Sequence, residues 1–291
     1  MDFLDGYVPH LIGGLAYGLL LFTVASGLTL AFGVANVLNL AHGTIFAVGG
    51  YAGYLLANGT WIGLILGAVA GAAAGAVFGA GLSVAVTPLA KRGHMAQALL
   101  TFGISLVVGH LLVVLFGASA KRPVLPPELS EPVTIGGHHY SSYQLLFIGV
   151  ASVLAVIGWI VITRSRAGAR VRAMVDDRHM VAAIGTNPRM VLGGVLAAAG
   201  ALAGLAGALG VPILGPSVES SNVVLMQSLI IVVVGGLGSV GGAFIAALAV
   251  GQVHTFGVAL VPDLTPYLLF GAMGVALLVR KPPPLLLGGR A

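Results

Sequence analysis

The sequence predicts an all-α polytopic membrane protein: a bundle of about nine (eight to ten) transmembrane helices, some broken or re-entrant, with one further helix on the cytoplasmic side. Three observations predict this. Hydrophobic residues make up 58% of the 291 and charged residues 7%, against about 25% charged in a soluble domain. Residues 6–90 carry no formal charge, a run far longer than the ~20 residues one bilayer span needs. The apolar blocks are continuous, unlike the alternating ~10-residue segments of an outer-membrane barrel.

The blocks run over 9–33, 34–57, 61–87, 95–117, 143–163, 191–214, 223–238, 240–258 and 264–279. Basic residues collect at Lys91–Arg92, through 164–189, and at Arg280, Lys281 and Arg290, and the positive-inside rule makes these segments cytoplasmic. Two traverses and then four separate them, so all three fit on one side. The N-terminus is then outside, the C-terminus and the tail 280–291 are cytoplasmic, and the loop 118–142 is extracytoplasmic. Met1-Asp2-Phe3-Leu4-Asp5 lacks the positive region of a cleavable signal, so the first span is expected to stay. Two places are candidates for irregular backbone. Gly33 to Asn39 is expected to break a helix inside protein, and the glycine-rich run 235–242 reads as a re-entrant turn or a loop.

Glycine is abundant, 45 of 291, roughly twice the ~7% average. Gly63, Gly67, Gly71, Gly75 and Gly79 recur every fourth residue and make a flat strip on one helix. Such a strip admits close packing by another helix, either within the subunit or across an oligomer interface. With no cysteine, disulfides, thiolate metal sites and cysteine nucleophiles are excluded. The net charge of +5 follows sidedness and is not a nucleic-acid footprint.

Six of the thirteen basic residues (Arg164, Arg166, Arg170, Arg172, Arg178, Arg189) stand in one island with Asp176 and Asp177. Arg172 to Ile184 reads as a short helix that stops at Gly185, with Asn187-Pro188 preventing continuation. Ala173, Met174, Met180, Val181 and Ile184 share one face, and Asp177 interrupts it. A membrane-surface anchor wants larger apolar residues and a uniformly basic polar face. A protein groove fits this pattern better, with Asp177 pairing with a partner's base or capping a backbone. A solvated loop held by lipid phosphates is the alternative.

Arg172-Ala173-Met174-Val175-Asp176-Asp177 followed by Ala182-Ala183-Ile184-Gly185-Thr186-Asn187 resembles the cytoplasmic coupling segment of bacterial ABC-importer permeases. The nearest likeness is to the branched-chain amino-acid permease family, in the shorter member of a paired set. The lead-in Thr163-Arg164-Ser165-Arg166-Ala167-Gly168-Ala169-Arg170 is similar to the family's version. So are Gly27-Leu28-Thr29-Leu30-Ala31-Phe32-Gly33, then Asn36, then Asn39-Leu40-Ala41-His42-Gly43. Val234-Gly235-Gly236-Leu237-Gly238-Ser239 with Gly241-Gly242-Ala243, and a tail with Arg280 and Pro282, complete a match in order along the chain. Valine at Val181 and threonine at Thr186 depart from the family's usual alanine and isoleucine.

The resemblance implies one permease domain over 1–291 in a bacterial cell (inner) membrane, with 164–190 as its coupling loop. It implies a pathway formed with a second permease subunit as a heterodimer, two cytosolic ATPases, and an extracytoplasmic binding protein that delivers branched-chain or other hydrophobic amino acids. The coupling residues would be Arg172, Ala173, Asp176, Asp177, Met180, Ala182, Ile184, Gly185 and Asn187. The chain has no Gly-x-x-x-x-Gly-Lys-[Ser/Thr] phosphate loop. It is therefore not expected to be an enzyme or to hold a cofactor or metal, ATP and Mg being bound by the partner ATPases.

Polar groups inside spans are costly and face protein or water. Asn36, Asn39 and His42 form the best-defined set, the last two on one helix face. Thr101 and Ser105, and Asn222 with Gln227, are further candidates for the translocation path. For each, internal hydrogen bonding is the alternative role. Lys121, Arg122, Glu128 and Glu131 lie in a Pro-rich outer loop that could touch a binding protein or face only solvent, and His138-His139 reads as solvated. The rival class is a proton-coupled secondary transporter of a small polar solute. It would need ionisable groups in mid-membrane, where only His42, His110 and His254 are buried candidates and no Asp or Glu lies deep in a span.

Overall fold

A computed structural model describes residues 7–279 except 36, 122, 136 and 184. Each apolar block of the sequence contains a helix. In order these are α1 (Val8–Leu30), α2 (His42–Leu56), α3 (Trp61–Val86), α4 (His94–Phe116), a single turn α5 (Pro127–Ser130) and α6 (Ser142–Arg164). The charged island forms α7 (Arg166–Asp176) and α8 (Arg178–Ala183), followed by α9 (Pro188–Leu214), α10 (Val218–Gly235), α11 (Val240–Leu260) and α12 (Thr265–Val279).

Among the described residues, seven helices are long and apolar enough to cross a membrane: α1, α3, α4, α6, α9, α10 and α11. Helices α2 and α12 have 15 residues each, about 22 Å against a hydrocarbon core of about 30 Å. The glycine run 235–242 holds the tight corner between α10 and α11. Gly236 and Gly238 take φ of 99° and 80° there, which favours glycine. The loop between α4 and α6 also holds an unpredicted two-stranded hairpin, β1 (Pro132–Ile135) with β2 (His138–Ser141), paired Pro132 to Ser141 through Ile135 to His138. His139 Nδ1 lies 3.0 Å from the Thr134 hydroxyl across it.

Helix α1 is the central element, buried along nearly its whole length from Ala16 to Thr29 and packed by α6, α9, α10 and α11. Helices α3, α4 and α6 instead expose long apolar faces, such as Ile62, Ile65 and Val77 on α3, which suits contact with lipid.

The glycine strip of α3 faces inward. A Cβ at Gly75 would run into the Gly200 carbonyl, one at Gly79 into the Leu196 carbonyl, and one at Gly71 would approach the Ala208 methyl to 2.6 Å. Gly204 on α9 meets the Gly71 carbonyl in return, and Gly49 on α2 meets Gly204. The strip is therefore a backbone-to-backbone junction of α2, α3 and α9 within one chain.

The break predicted over 33–39 is present. Helix α1 passes into a π-helical turn, Ala31–Ala35, and residues 37–41 are non-helical before α2 starts at His42. The chain has doubled back by then, because His42 lies beside Val24 and Gly27 of α1. Val24 is six residues from the end of α1, so α2 starts about 9 Å inside the bundle.

Candidate functional site

At one end of the bundle, α7 and α8 fold against the feet of the long helices. Ser165 ends α6 and caps α7, its hydroxyl accepting the Gly168 N–H at 2.9 Å. Arg172 donates to the Ile162 carbonyl, one of the α6 carbonyls left without a helical partner. Gly168 permits the fold-back, since a Cβ there would strike the Val161 and Ile162 carbonyls.

The single helix expected over 172–184 is corrected to two. Asp177 has extended backbone, φ −154° and ψ 107°, and its Oδ1 accepts the Met180 N–H at 3.1 Å. The carboxylate thus caps α8 of its own chain. Helix α8 closes on Gly185 at φ 83°. The N–H groups of Gly185 and Thr186 return to the carbonyls of Ala182 and Val181 at 3.0 and 3.2 Å, the double bond pattern of a glycine-terminated helix. Asn187 then caps α9, accepting the Arg189 N–H at 2.9 Å, with Pro188 in its first turn.

The face expected to meet a partner is divided. Met174 and Val181 are buried with Val195 of α9 and packed by Leu30 of α1, Val171, Ala173 and Val191. Met180, Ala182, Gly185 and Asn187 are exposed, as are Arg172 and Asp177. Ile184, Asn36 and the Asp176 side chain lie outside the described residues, as do Arg122 and the tail 280–291. The result is an arm whose inner side grips α1 and α9 while Met180, 68% exposed, stands at its outer side.

Inside the bundle the polar candidates separate into two groups. Asn39, His42, Thr101 and Ser105 surround the break. The Asn39 Oδ1 accepts the Ala41 N–H at 3.0 Å. The Thr101 hydroxyl accepts the Leu40 N–H at 3.1 Å and lies 3.2 and 3.0 Å from the Leu38 and Ala98 carbonyls. Ser105 meets the Thr44 hydroxyl at 2.6 Å. His42 is fully buried. Its Nε2 lies 3.0 Å from the Val24 carbonyl, which can only accept, so Nε2 carries the proton. Nδ1 is left without a partner among the described residues.

The second group faces open space. Asn222 and Gln227 of α10 line a cavity of about 400 Å³ with Met226, His254 of α11 and Leu269 of α12. A second cavity, about 430 Å³, is lined by Tyr17 of α1, Ser119, Ser217 and Glu219. The two share Val223 and His254. At their junction the Tyr17 ring stacks on His254, centroids 4.4 Å apart, and its hydroxyl donates to Gln227 Oε1.

Sequence reasoning missed Tyr17. The available signal was a phenol in mid-span, whose hydroxyl needs a partner once buried. His110, read as buried, is exposed on α4.

The profile of the family described as "Branched-chain amino acid transport system / permease component" matches residues 10–278. The chain is 26% identical over 294 residues to the high-affinity branched-chain amino acid transport system permease protein BraD of Pseudomonas aeruginosa, covering 94% of each. It is 24% identical to the permease protein LivH of the corresponding system in Escherichia coli, covering 84% of each. The LivH protein of Salmonella typhimurium is 22% identical, again over 84% of each chain. No solved structure matches. A match over nearly the whole length shows the family: the chain belongs to the permease component family of branched-chain amino acid transport systems.

Proposed function

We propose that this chain is a permease subunit of an ATP-driven importer that carries branched-chain or other hydrophobic amino acids across a bacterial cell membrane. Two cytosolic ATPases, a second permease subunit and an extracytoplasmic binding protein complete the assembly. All nine apolar helices cross in this reading, α2 and α12 with help from the segments before and after them. The N-terminus is outside and the C-terminus inside.

The observation that carries the reading is the arm α7–α8. Its inner side is packed on Leu30 of α1 and on Val191 and Val195 of α9, while Met180, Ala182 and Asn187 are exposed. An ATPase cleft closing on the exposed side would act directly on the central helix of the bundle. ATP and Mg would be held by the ATPases, and this chain would supply only the mechanical contact.

The test is leucine uptake into proteoliposomes holding the complete complex, with binding protein outside the vesicles and ATP enclosed within them. Uptake should require ATP and survive collapse of the proton gradient. Uptake driven by a proton gradient without ATP would overturn the importer reading.

A further inference from the structure

The cavity between α10, α11 and α12 has the chemistry of a small-molecule site. Its volume, about 400 Å³, falls in the range of about 300–1,000 Å³ typical of ligand pockets. Ile230, Val258, Leu269 and Phe270 give it an apolar wall. Gln227, His254 and Asn222 supply the polar groups, and the only ionisable side chain among its lining residues is His254. Gln227 is 5% exposed, and its Oε1 is the amide atom that accepts the Tyr17 hydroxyl. With Oε1 engaged by the Tyr17 hydroxyl, the amide nitrogen is the remaining group, and it can only donate.

We propose that this cavity is a holding site for an amino acid with an aliphatic side chain, gripped at its carboxylate by the Gln227 amide and at its side chain by the apolar wall. The proposal rests on the importer reading above and locates a site of selection within the permease itself. Donation by a neutral amide suits a carboxylate that must also be released. In this site the Asn222 amide, on the same wall, is the acceptor assigned to the ammonium group. A side chain bearing its own charge would enter with no counter-charge to meet it, a costly burial, so the site selects against charged amino acids.

Glu219 belongs to the approach rather than to the site. It lines the neighbouring cavity with Ser217 and Ser119 and stands eight positions before Gln227, about 12 Å along α10. One amino acid cannot place its ammonium on Glu219 and its carboxylate on Gln227, because those groups are only about 3 Å apart. Glu219 instead draws the ammonium group toward the Tyr17–His254 junction, from which the molecule passes inward.

The test compares wild type, Gln227→Leu, Gln227→Glu and Leu269→Ala as complete complexes in proteoliposomes, measuring uptake of leucine, phenylalanine and lysine together with ATP hydrolysis. Gln227→Leu should cut leucine uptake by about tenfold or more, as when a hydrogen-bonding group for a substrate is lost, while hydrolysis stimulated by the loaded binding protein persists. Gln227→Glu keeps an acceptor for Tyr17 but opposes the carboxylate, and should be equally impaired. Leu269→Ala enlarges the wall and should raise the phenylalanine-to-leucine uptake ratio by roughly fivefold or more.

Unchanged uptake in both Gln227 variants, or an unchanged ratio in Leu269→Ala, would overturn the site while leaving the importer reading intact. Should Gln227→Leu fail to assemble, the ratio measured with Leu269→Ala decides. Wild-type complex that moves no amino acid with ATP would overturn the importer reading and the site together.

Discussion

Asp177 and Met180 are joined by a carboxylate-to-amide hydrogen bond of 3.1 Å that begins α8. The acid therefore shapes the arm from within. Asp177→Asn keeps an oxygen acceptor and should leave uptake within about twofold of wild type. Asp177→Lys removes the cap, worth ~1 kcal/mol, and adds a further cation to an arm that already carries Arg166, Arg170, Arg172 and Arg178. It should preserve membrane insertion but uncouple ATP hydrolysis from uptake. Parallel measurement of hydrolysis and uptake checks both, and normal uptake in Asp177→Lys would remove the argument for the carboxylate.

Met180 tests the arm without disturbing its packing. It is exposed, so Met180→Arg should change folding by no more than about 0.5 kcal/mol yet reduce copurification of the ATPase several-fold. Val181→Pro is the harsher probe. It breaks the Val181 N–H bond to Asp177 and disturbs a side chain buried at 3% exposure, so arm and bundle should suffer together. Full ATPase yield with either variant would contradict docking through this surface.

Thr101 holds the broken connection to α4. Thr101→Val removes the acceptor for the Leu40 N–H in a buried place, and should cost about 1–3 kcal/mol. Thr101→Ser retains the hydroxyl and should behave nearly as wild type. Thermal unfolding in detergent distinguishes the two, and equal midpoints would show that the hydroxyl does not secure the break.

Glycines on one helix should differ sharply in tolerance. Gly75→Ala forces a Cβ against the Gly200 carbonyl and should lower the yield of folded protein severalfold. Gly81→Ala meets nothing within 4 Å and should be neutral or slightly stabilising, since alanine favours helix by up to about 1 kcal/mol over glycine. Size-exclusion yield of the two variants checks the contrast.

Most of the helices were legible because apolar length is a strong signal in lipid. The Gly63-to-Gly79 strip was equally legible as a packing face, but its partner was not, since nothing in the spacing distinguishes α9 of the same chain from a second subunit. The break between α7 and α8 was hidden by helix-forming neighbours. An aspartate before Arg178-His179-Met180 is a capping signal that the apolar periodicity overrode. Thr101, 61 positions from Leu40, and Tyr17, 210 from Gln227, are pairings of distant chain segments. Only the packing of α1 against α10 and of α4 against the break brings them together. Asn222 and Gln227 were nameable as polar groups in a span, whereas the cavity they line is a property of three helices at once.

The junction of α2, α3 and α9 has a thermodynamic consequence. Glycine has no rotamers to freeze, so where Gly71, Gly75, Gly200 and Gly204 meet the contact forms without loss of side-chain entropy. Its attraction is dispersion between closely apposed backbones, whose strength falls steeply with separation. Such a contact is either shut or absent, with little in between. These three helices should therefore move as one block, so a push delivered through the arm at Val191 and Val195 of α9 should be passed to α2 and α3 together.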